Sequence, residues 1–253
     1  VDDLAGIEVH GSDTLADVFD IKGMLPSNTL RVEGGGGRDV FTVRKATEGS
    51  IELDGEDGGD IYRVAVGNGA QRFVFIEDTG ICACTDRILL TATSGDDDIT
   101  IDNEQIVLAT ERIVFDELIE VVTVDVKEGD DSLTVRNNQM RYLRLILGEG
   151  DDSVVVDEAR GVNGIRIDGN DGNDMFTIED SVANSFITAL GHAGEDSFYV
   201  SELAYAAMRI DGGEDSDLYD IDFAGRNIRD IDARDTGLVG TDELKIFGSS
   251  VVD

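Results

Sequence analysis

The chain has no tryptophan, one proline, two cysteines and two histidines among its 253 residues. So few cysteines exclude a disulfide-framed fold. Cys82 and Cys84 stand one residue apart, a spacing that disfavours an unstrained bridge, and they read as two small side chains in a strand. His10 and His192 fall about nine units of the chain's internal repeat apart, which makes a histidine zinc site or a Ser-His-Asp triad spread over both implausible. Positive charge is also scarce: 20 Lys and Arg face 55 Asp and Glu, for a net charge of -35. Nucleic acid and anionic membrane surfaces are therefore poor partners, since both are held by positive charge that displaces counterions. No run of 18 apolar residues occurs, so membrane insertion is not expected. The chain opens on Val1-Asp2-Asp3 with no signal peptide, which suggests a mature form or a segment of a longer polypeptide.

What the chain does have is 41% hydrophobic residues, enough for a core, and 30 glycines. The glycines fall into a repeat. An aspartate that precedes an alternating strand occurs at Asp17, Asp39, Asp60, Asp97, Asp131, Asp152, Asp174, Asp196, Asp217 and Asp242. Six of the nine gaps between these anchors are 21 or 22 residues. Two residues after each anchor stands an apolar or aromatic side chain, such as Phe19, Phe41, Tyr62, Phe176, Phe198 or Tyr219. Four residues after it stands Ile, Val or nothing else. That alternation predicts a strand with one buried face. A second strand precedes the turn, with pairs such as Leu30 and Val32, Ile51 and Leu53, Ile88 and Leu90, and Leu143 and Leu145. Between the strands, glycine occupies the fifth or the second position before most anchors, where it permits positive φ and close backbone approach.

One such unit cannot bury its apolar side chains, but stacked units can. The sequence therefore predicts an all-β fold, a right-handed parallel β-helix or β-solenoid with coils of 21–22 residues, forming a single domain over 1–253. Phe176 should lie over Phe198, and Phe198 near Tyr219. The 37- and 34-residue gaps could each hold two tighter coils, giving roughly twelve coils at about 4.8 Å per strand. The period breaks near 65–96 and 102–127, the places where long loops could form a groove. Arg72, Arg87, Arg112 and Lys127 lie there. They could meet an acidic sugar, though charge balance on an acidic surface explains them more simply.

Laid out as G-x-x-G-x-D followed by x-h-x-h, with h apolar, the turn resembles the hemolysin-type, or repeats-in-toxin, calcium-binding motif. The best matches are Gly169 to Phe176, Gly34 to Phe41 and Gly55 to Tyr62. It is also similar to repeats of long bacterial cell-surface proteins. The resemblance implies Ca²⁺ between stacked turns, held by anchor carboxylates and turn carbonyls. The implied ligands are Asp39, Asp60, Asp131, Asp152, Asp174, Asp196 and Asp217, with Gly169, Gly172 and Asp171 of the best-matched turn. Stacked aspartates would repel one another unless a cation lay between them. This sequence departs from the toxin pattern in its longer period and in carrying the motif at only one edge of the coil, so at most one row of metal sites is implied. Arg38 stands in one turn where it could replace a cation. The alternative is that the Gly-Asp turns shape the bend, with aspartate side chains capping backbone N–H groups.

The function expected is structural: an extracellular or cell-surface adhesin stalk, surface-layer or filament unit, without catalysis. Its partners would be copies of itself stacked end to end, neighbouring coils of the same polypeptide, or cell-surface glycans. A carbohydrate-active β-helix enzyme and a pure glycan-binding adhesin are the rival expectations.

Overall fold

The computed structural model describes residues 6–23, 28–45, 49–67, 72–81, 84–137, 140–158, 164–179, 186–201, 207–223 and 230–248. These residues form a parallel β-solenoid of about nine turns, with no helix among them. They fall into two compact units, Val1–Thr93 with Glu104–Val124, and Ser94–Asn103 with Asp125–Asp253.

The first unit holds β1 (Ile7–His10), β2 (Val18–Ile21), β3 (Thr29–Glu33), β4 (Val40–Val43), β5 (Gly49–Asp54), β6 (Ile61–Ala65), β7 (Arg72–Glu77) and β8 (Asp86–Thr91). In chain order there follow β9 (Asp98–Asp102), which belongs to the second unit, then β10 (Gln105–Leu108), β11 (Glu111–Phe115) and β12 (Ile119–Asp125). The rest of the second unit is β13 (Ser132–Arg136), β14 (Tyr142–Glu149), β15 (Ser153–Asp157), β16 (Ile165–Asp171), β17 (Met175–Glu179), β18 (Phe186–Ala193), β19 (Ser197–Val200), β20 (Ala207–Glu214), β21 (Leu218–Asp222), β22 (Asp230–Arg234) and β23 (Glu243–Phe247). Odd-numbered strands from β1 to β7 and from β9 to β23, joined by β10, belong to one sheet, and the remaining even-numbered strands to the other.

The predicted columns are present. In the second unit Ile99, Leu133, Val154, Phe176, Phe198, Tyr219 and Leu244 pair successively in register, as do Ile101, Val135, Val156, Ile178, Val200, Ile221 and Ile246. The Phe176 and Phe198 rings stack with centroids 4.7 Å apart, and Phe198 stacks on Tyr219 at 5.3 Å. The first unit repeats the device with Phe19, Phe41 and Tyr62, each 5.0 Å from the next. Burying each ring contributes about 1.5–3 kcal/mol relative to exposure, which only a neighbouring coil can supply.

The structure has about nine turns where roughly twelve were expected, and the long gaps are not built as two tight coils each. After β6, β7 stacks on β5, and β8 then stacks on β6, so Ile88 and Leu90 pair with Tyr62 and Val64. The 37-residue gap thus contains one further coil, with Asp86 in the anchor place. The 34-residue gap holds β9, the antiparallel pair β10 and β11, and β12. Residues 72–77, 86–91, 105–108, 111–115 and 119–125 are strands of the sheets rather than long loops over a groove. The 11 residues from Asp86 to Asp97 then make only half a coil, which overturns the expectation of a single turn row. In the first unit the Gly-Asp turn leads from the 13-stranded sheet into the 10-stranded sheet, and in the second unit it leads the other way.

Cys84 is disulfide-bonded, against the expectation of two unpaired small side chains, and Cys82 lies outside the described residues.

Candidate metal centre

Each turn solves a packing problem set by its own anchor. The glycine five places before the anchor is there for space. A Cβ on Gly191 would run into the Asp196 carboxylate, one on Gly169 into Asp174, and one on Gly55 into both Asp60 and the Tyr62 hydroxyl. The position after it takes the left-handed backbone and tolerates side chains, as at Asn170 with φ 80° and His192 with φ 85°. The glycine two places before the anchor does need conformational freedom. Gly172 has φ 142°, and a Cβ there would strike the Gly150 carbonyl of the preceding coil.

With that room made, the anchor carboxylates turn inward. Asp39, Asp60, Asp131, Asp152, Asp174, Asp196 and Asp217 are all buried, none more than 2% exposed. They do not face one another across a gap. One oxygen of each accepts the backbone N–H of the anchor one coil earlier: Asp152 from Asp131 at 2.7 Å, Asp174 from Asp152 at 3.0 Å, Asp196 from Asp174 at 2.8 Å and Asp217 from Asp196 at 2.9 Å. In the first unit Asp39, Asp60 and Asp86 accept from Asp17, Asp39 and Asp60 in the same way. A second, exposed row runs one residue before the anchors and in the opposite sense. There the N–H of Asp151, Asn173 and Glu195 reaches the side chain of Asp130, Asp151 and Asn173.

So half of each carboxylate does what backbone capping requires. The other half is left over. The second oxygen of Asp39, Asp60, Asp131, Asp152, Asp174, Asp196 and Asp217 is buried without a hydrogen-bond partner. Burial accordingly pushes these acids up, against the pull of the donated N–H: Asp60, Asp131 and Asp174 to about 7, Asp196 to about 8, and Asp152 and Asp217 to about 6. A proton or a cation relieves such an oxygen. Orphaned, all-oxygen anionic donors fit a hard divalent ion.

The expected ligand residues are therefore brought into buried columns, with Gly169 and Gly172 in the same turn and Asp171 exposed beside them. The places where three carboxylates converge are different. Asp60, Asp78 and Asp86 offer ligand oxygens all within 4.8 Å of one another, and so do Asp217, Asp235 and Asp242. Either group could hold a metal ion. Asp78, Asp86, Asp235 and Asp242 are not among the expected ligands: the first three lie outside the recognised glycine-rich turns, and Asp242 is an anchor not counted as a ligand. The signal available was the tripeptide Asp-Thr-Gly, which occurs at 78–80 and again at 235–237. Arg72, placed by sequence near a possible groove, is 1% exposed and pairs instead with buried Glu111. His192 is exposed in its turn, 3.8 Å from Asp168.

No protein-family model, curated protein or solved structure matches the chain.

Proposed function

We propose that this chain is a structural segment of an extracellular or cell-surface bacterial protein, an adhesin stalk, surface-layer or filament unit, stabilised by Ca²⁺ at its aspartates. The observation that carries this reading is the buried aspartate ladder with one oxygen of each carboxylate unpartnered. In a chain of net charge -35, such a device is most stable where divalent cations are plentiful, and extracellular modules bind Ca²⁺ with Kd of roughly 10⁻⁴–10⁻³ M.

The role is a spacer rather than a catalyst. The segments proposed to carry a groove are strands, and their buried Arg72 is committed to an ion pair. The partners are further coils of the same polypeptide or a second copy stacked end to end. This is supported by Ile7, Val9 and Val18 on β1 and β2, and by Leu244, Ile246 and Phe247 on β23, which are exposed apolar residues on strands paired on one side. A glycan-binding adhesin is the second reading. It is favoured by Phe73 and Phe75, exposed on the outer face of β7, and by a cavity of about 210 Å³ where Phe75 meets Arg31, Glu52 and Glu77.

Thermal melting with Ca²⁺ and with a chelator tests the reading. The midpoint should rise by several degrees with Ca²⁺. An unchanged midpoint would leave the aspartates as turn-capping residues alone.

A further inference from the structure

Asp54-Gly55, Asp60, Tyr62 and Asp78-Thr79-Gly80 recur as Asp211-Gly212, Asp217, Tyr219 and Asp235-Thr236-Gly237, each 157 positions further on (54 to 211, 60 to 217, 78 to 235). The aromatic stacks that end at Tyr62 and Tyr219 repeat at the same displacement, Phe19 and Phe41 answering to Phe176 and Phe198. The bonds repeat as well. Thr79 donates its N–H and hydroxyl to Asp54 at 3.2 and 3.1 Å, and Thr236 donates the same pair to Asp211 at 3.1 and 3.0 Å. Asp78 Oδ1 accepts the Gly80 N–H, and Asp235 Oδ1 the Gly237 N–H. The Tyr62 hydroxyl donates to the carbonyl of Glu77, and that of Tyr219 to the carbonyl of Arg234.

This duplicated scaffold brings one aspartate of the Asp-Thr-Gly turn against two successive anchors. Asp86 and Asp242, 156 positions apart, likewise cap the anchor N–H groups of Asp60 and Asp217, though the first triad is buried throughout while Asp235 and Asp242 of the second are exposed. Asp60 and Asp217 are 0% and 2% exposed, and the Oδ2 of each has no partner. That oxygen lies beside the tyrosine hydroxyl, since a Cβ on Gly55 or Gly212 would strike both atoms. The hydroxyl cannot serve it, because its one hydrogen goes to the backbone carbonyl that leads into Asp78 or Asp235. In each of two places, then, the anchor that carries an unpartnered buried oxygen stands within reach of two further carboxylates. Ligand oxygens within 4.8 Å of one another fit one coordination sphere, since opposed ligands of Ca²⁺ stand about 5 Å apart.

We propose that Asp60, Asp78 and Asp86, and separately Asp217, Asp235 and Asp242, form a duplicated pair of divalent-cation sites, one in each unit, each pinning its Asp-Thr-Gly turn to the coil before it. This rests on the calcium reading above and assigns the ions to the triads rather than to the regular anchor columns. The ligand set is oxygen-only and anionic, which selects Ca²⁺ over softer transition metals.

The absence of tryptophan supplies the probe. Tyr62 and Tyr219 flank the two triads, so tyrosine-sensitised Tb³⁺ emission reports ions bound there. Titrated into the chelator-treated full chain, Tb³⁺ emission should saturate at two equivalents and be displaced by Ca²⁺. Asp78→Asn and Asp235→Asn should each halve the emission and remove one equivalent, while far-ultraviolet circular dichroism stays that of the parent. Tyr62→Phe and Tyr219→Phe should each dim the signal, giving a second measurement that leaves all six carboxylates in place. If Ca²⁺ raises the melting midpoint but Asp78→Asn and Asp235→Asn bind Tb³⁺ as the parent does, this assignment falls and the calcium reading stands. If the parent binds neither ion, both fall together.

Discussion

Asp196 reaches back along the stack to accept the backbone N–H of Asp174 at 2.8 Å, while the carbonyl of Asp174 accepts the N–H of Ser197 at 2.8 Å. The anchor peptide of one coil is thus clamped by both the side chain and the main chain of the next. Charge is not what the clamp needs, because an amide oxygen accepts an N–H as well as a carboxylate does. In chelator, Asp196→Asn should keep the bond, lose the buried charge and unfold in urea at or above the midpoint of the parent. Asp196→Ala should leave the Asp174 N–H buried and unpaired, at a loss of about 1–3 kcal/mol. Equal destabilisation by the two variants would show that the charge itself holds the coils together.

The pH dependence should run opposite to ordinary acid denaturation. The buried anchors hold protons more tightly in the folded chain than the ordinary aspartate value of 3.8, with Asp196 raised to about 8 and Asp60, Asp131 and Asp174 to about 7. A raised acid contributes stability that is fully present below its unfolded value and is lost as pH rises through its folded value. The melting midpoint in chelator should therefore fall as pH rises through 6 to 8, and repulsion among the surface acids adds in the same direction. Added Ca²⁺ should raise the whole curve through the triads but leave the slope contributed by Asp131, Asp174 and Asp196, which lie outside them. A midpoint that rises over this window in chelator would mean that the anchors are ionised and satisfied throughout.

The columns were legible because a strand of period 2 inside a coil of period 21–22 fixes both the face and the height of each side chain. Knowing that Phe176 and Phe198 are 22 residues apart in equivalent slots was enough to stack them. The coil through β7 and β8 was not legible, because its turn reads Asp78-Thr79-Gly80 up to Asp86 and lacks the spaced glycines. Its anchor was found only from what it caps, the N–H of Asp60 at 2.7 Å. Of the two roles expected for the glycine five places before the anchor, positive φ and close approach, only the second applies, and what approaches is the carboxylate from five residues along the same turn. Sequence spacing names the residues of a turn but does not say which way a side chain swings. The inward swing of the anchors, and with it the unpartnered oxygen, therefore emerged only from the coordinates.

The remaining buried charge lies outside the ladder, and its chemistry predicts a different response. Arg72 and Glu111 are 1% and 4% exposed on adjacent strands β7 and β11, and they form an ion pair. The guanidinium also donates to the carbonyls of Arg44 at 3.1 Å and Ala65 at 2.8 Å, and Glu111 accepts the N–H of Gly67 at 2.5 Å. The pair thus ties β7 and β11 to Arg44 and to the end of β6 with Gly67. Removing either partner strands a buried charge together with the backbone groups it served. Arg72→Ala or Glu111→Ala should each lower unfolding free energy by about 3–5 kcal/mol. Arg72→Lys keeps the charge but loses the planar fork that reaches two carbonyls and a carboxylate at once, so it should fall between Arg72→Ala and the parent. The double variant Arg72→Met with Glu111→Leu removes both charges and fills much of their volume. It should recover most of the loss in urea denaturation, because an apolar pair needs no compensation for desolvation. If the double variant is instead as unstable as the sum of the single ones, the pair's value lies in the backbone carbonyls and N–H it satisfies rather than in the attraction between the two charges.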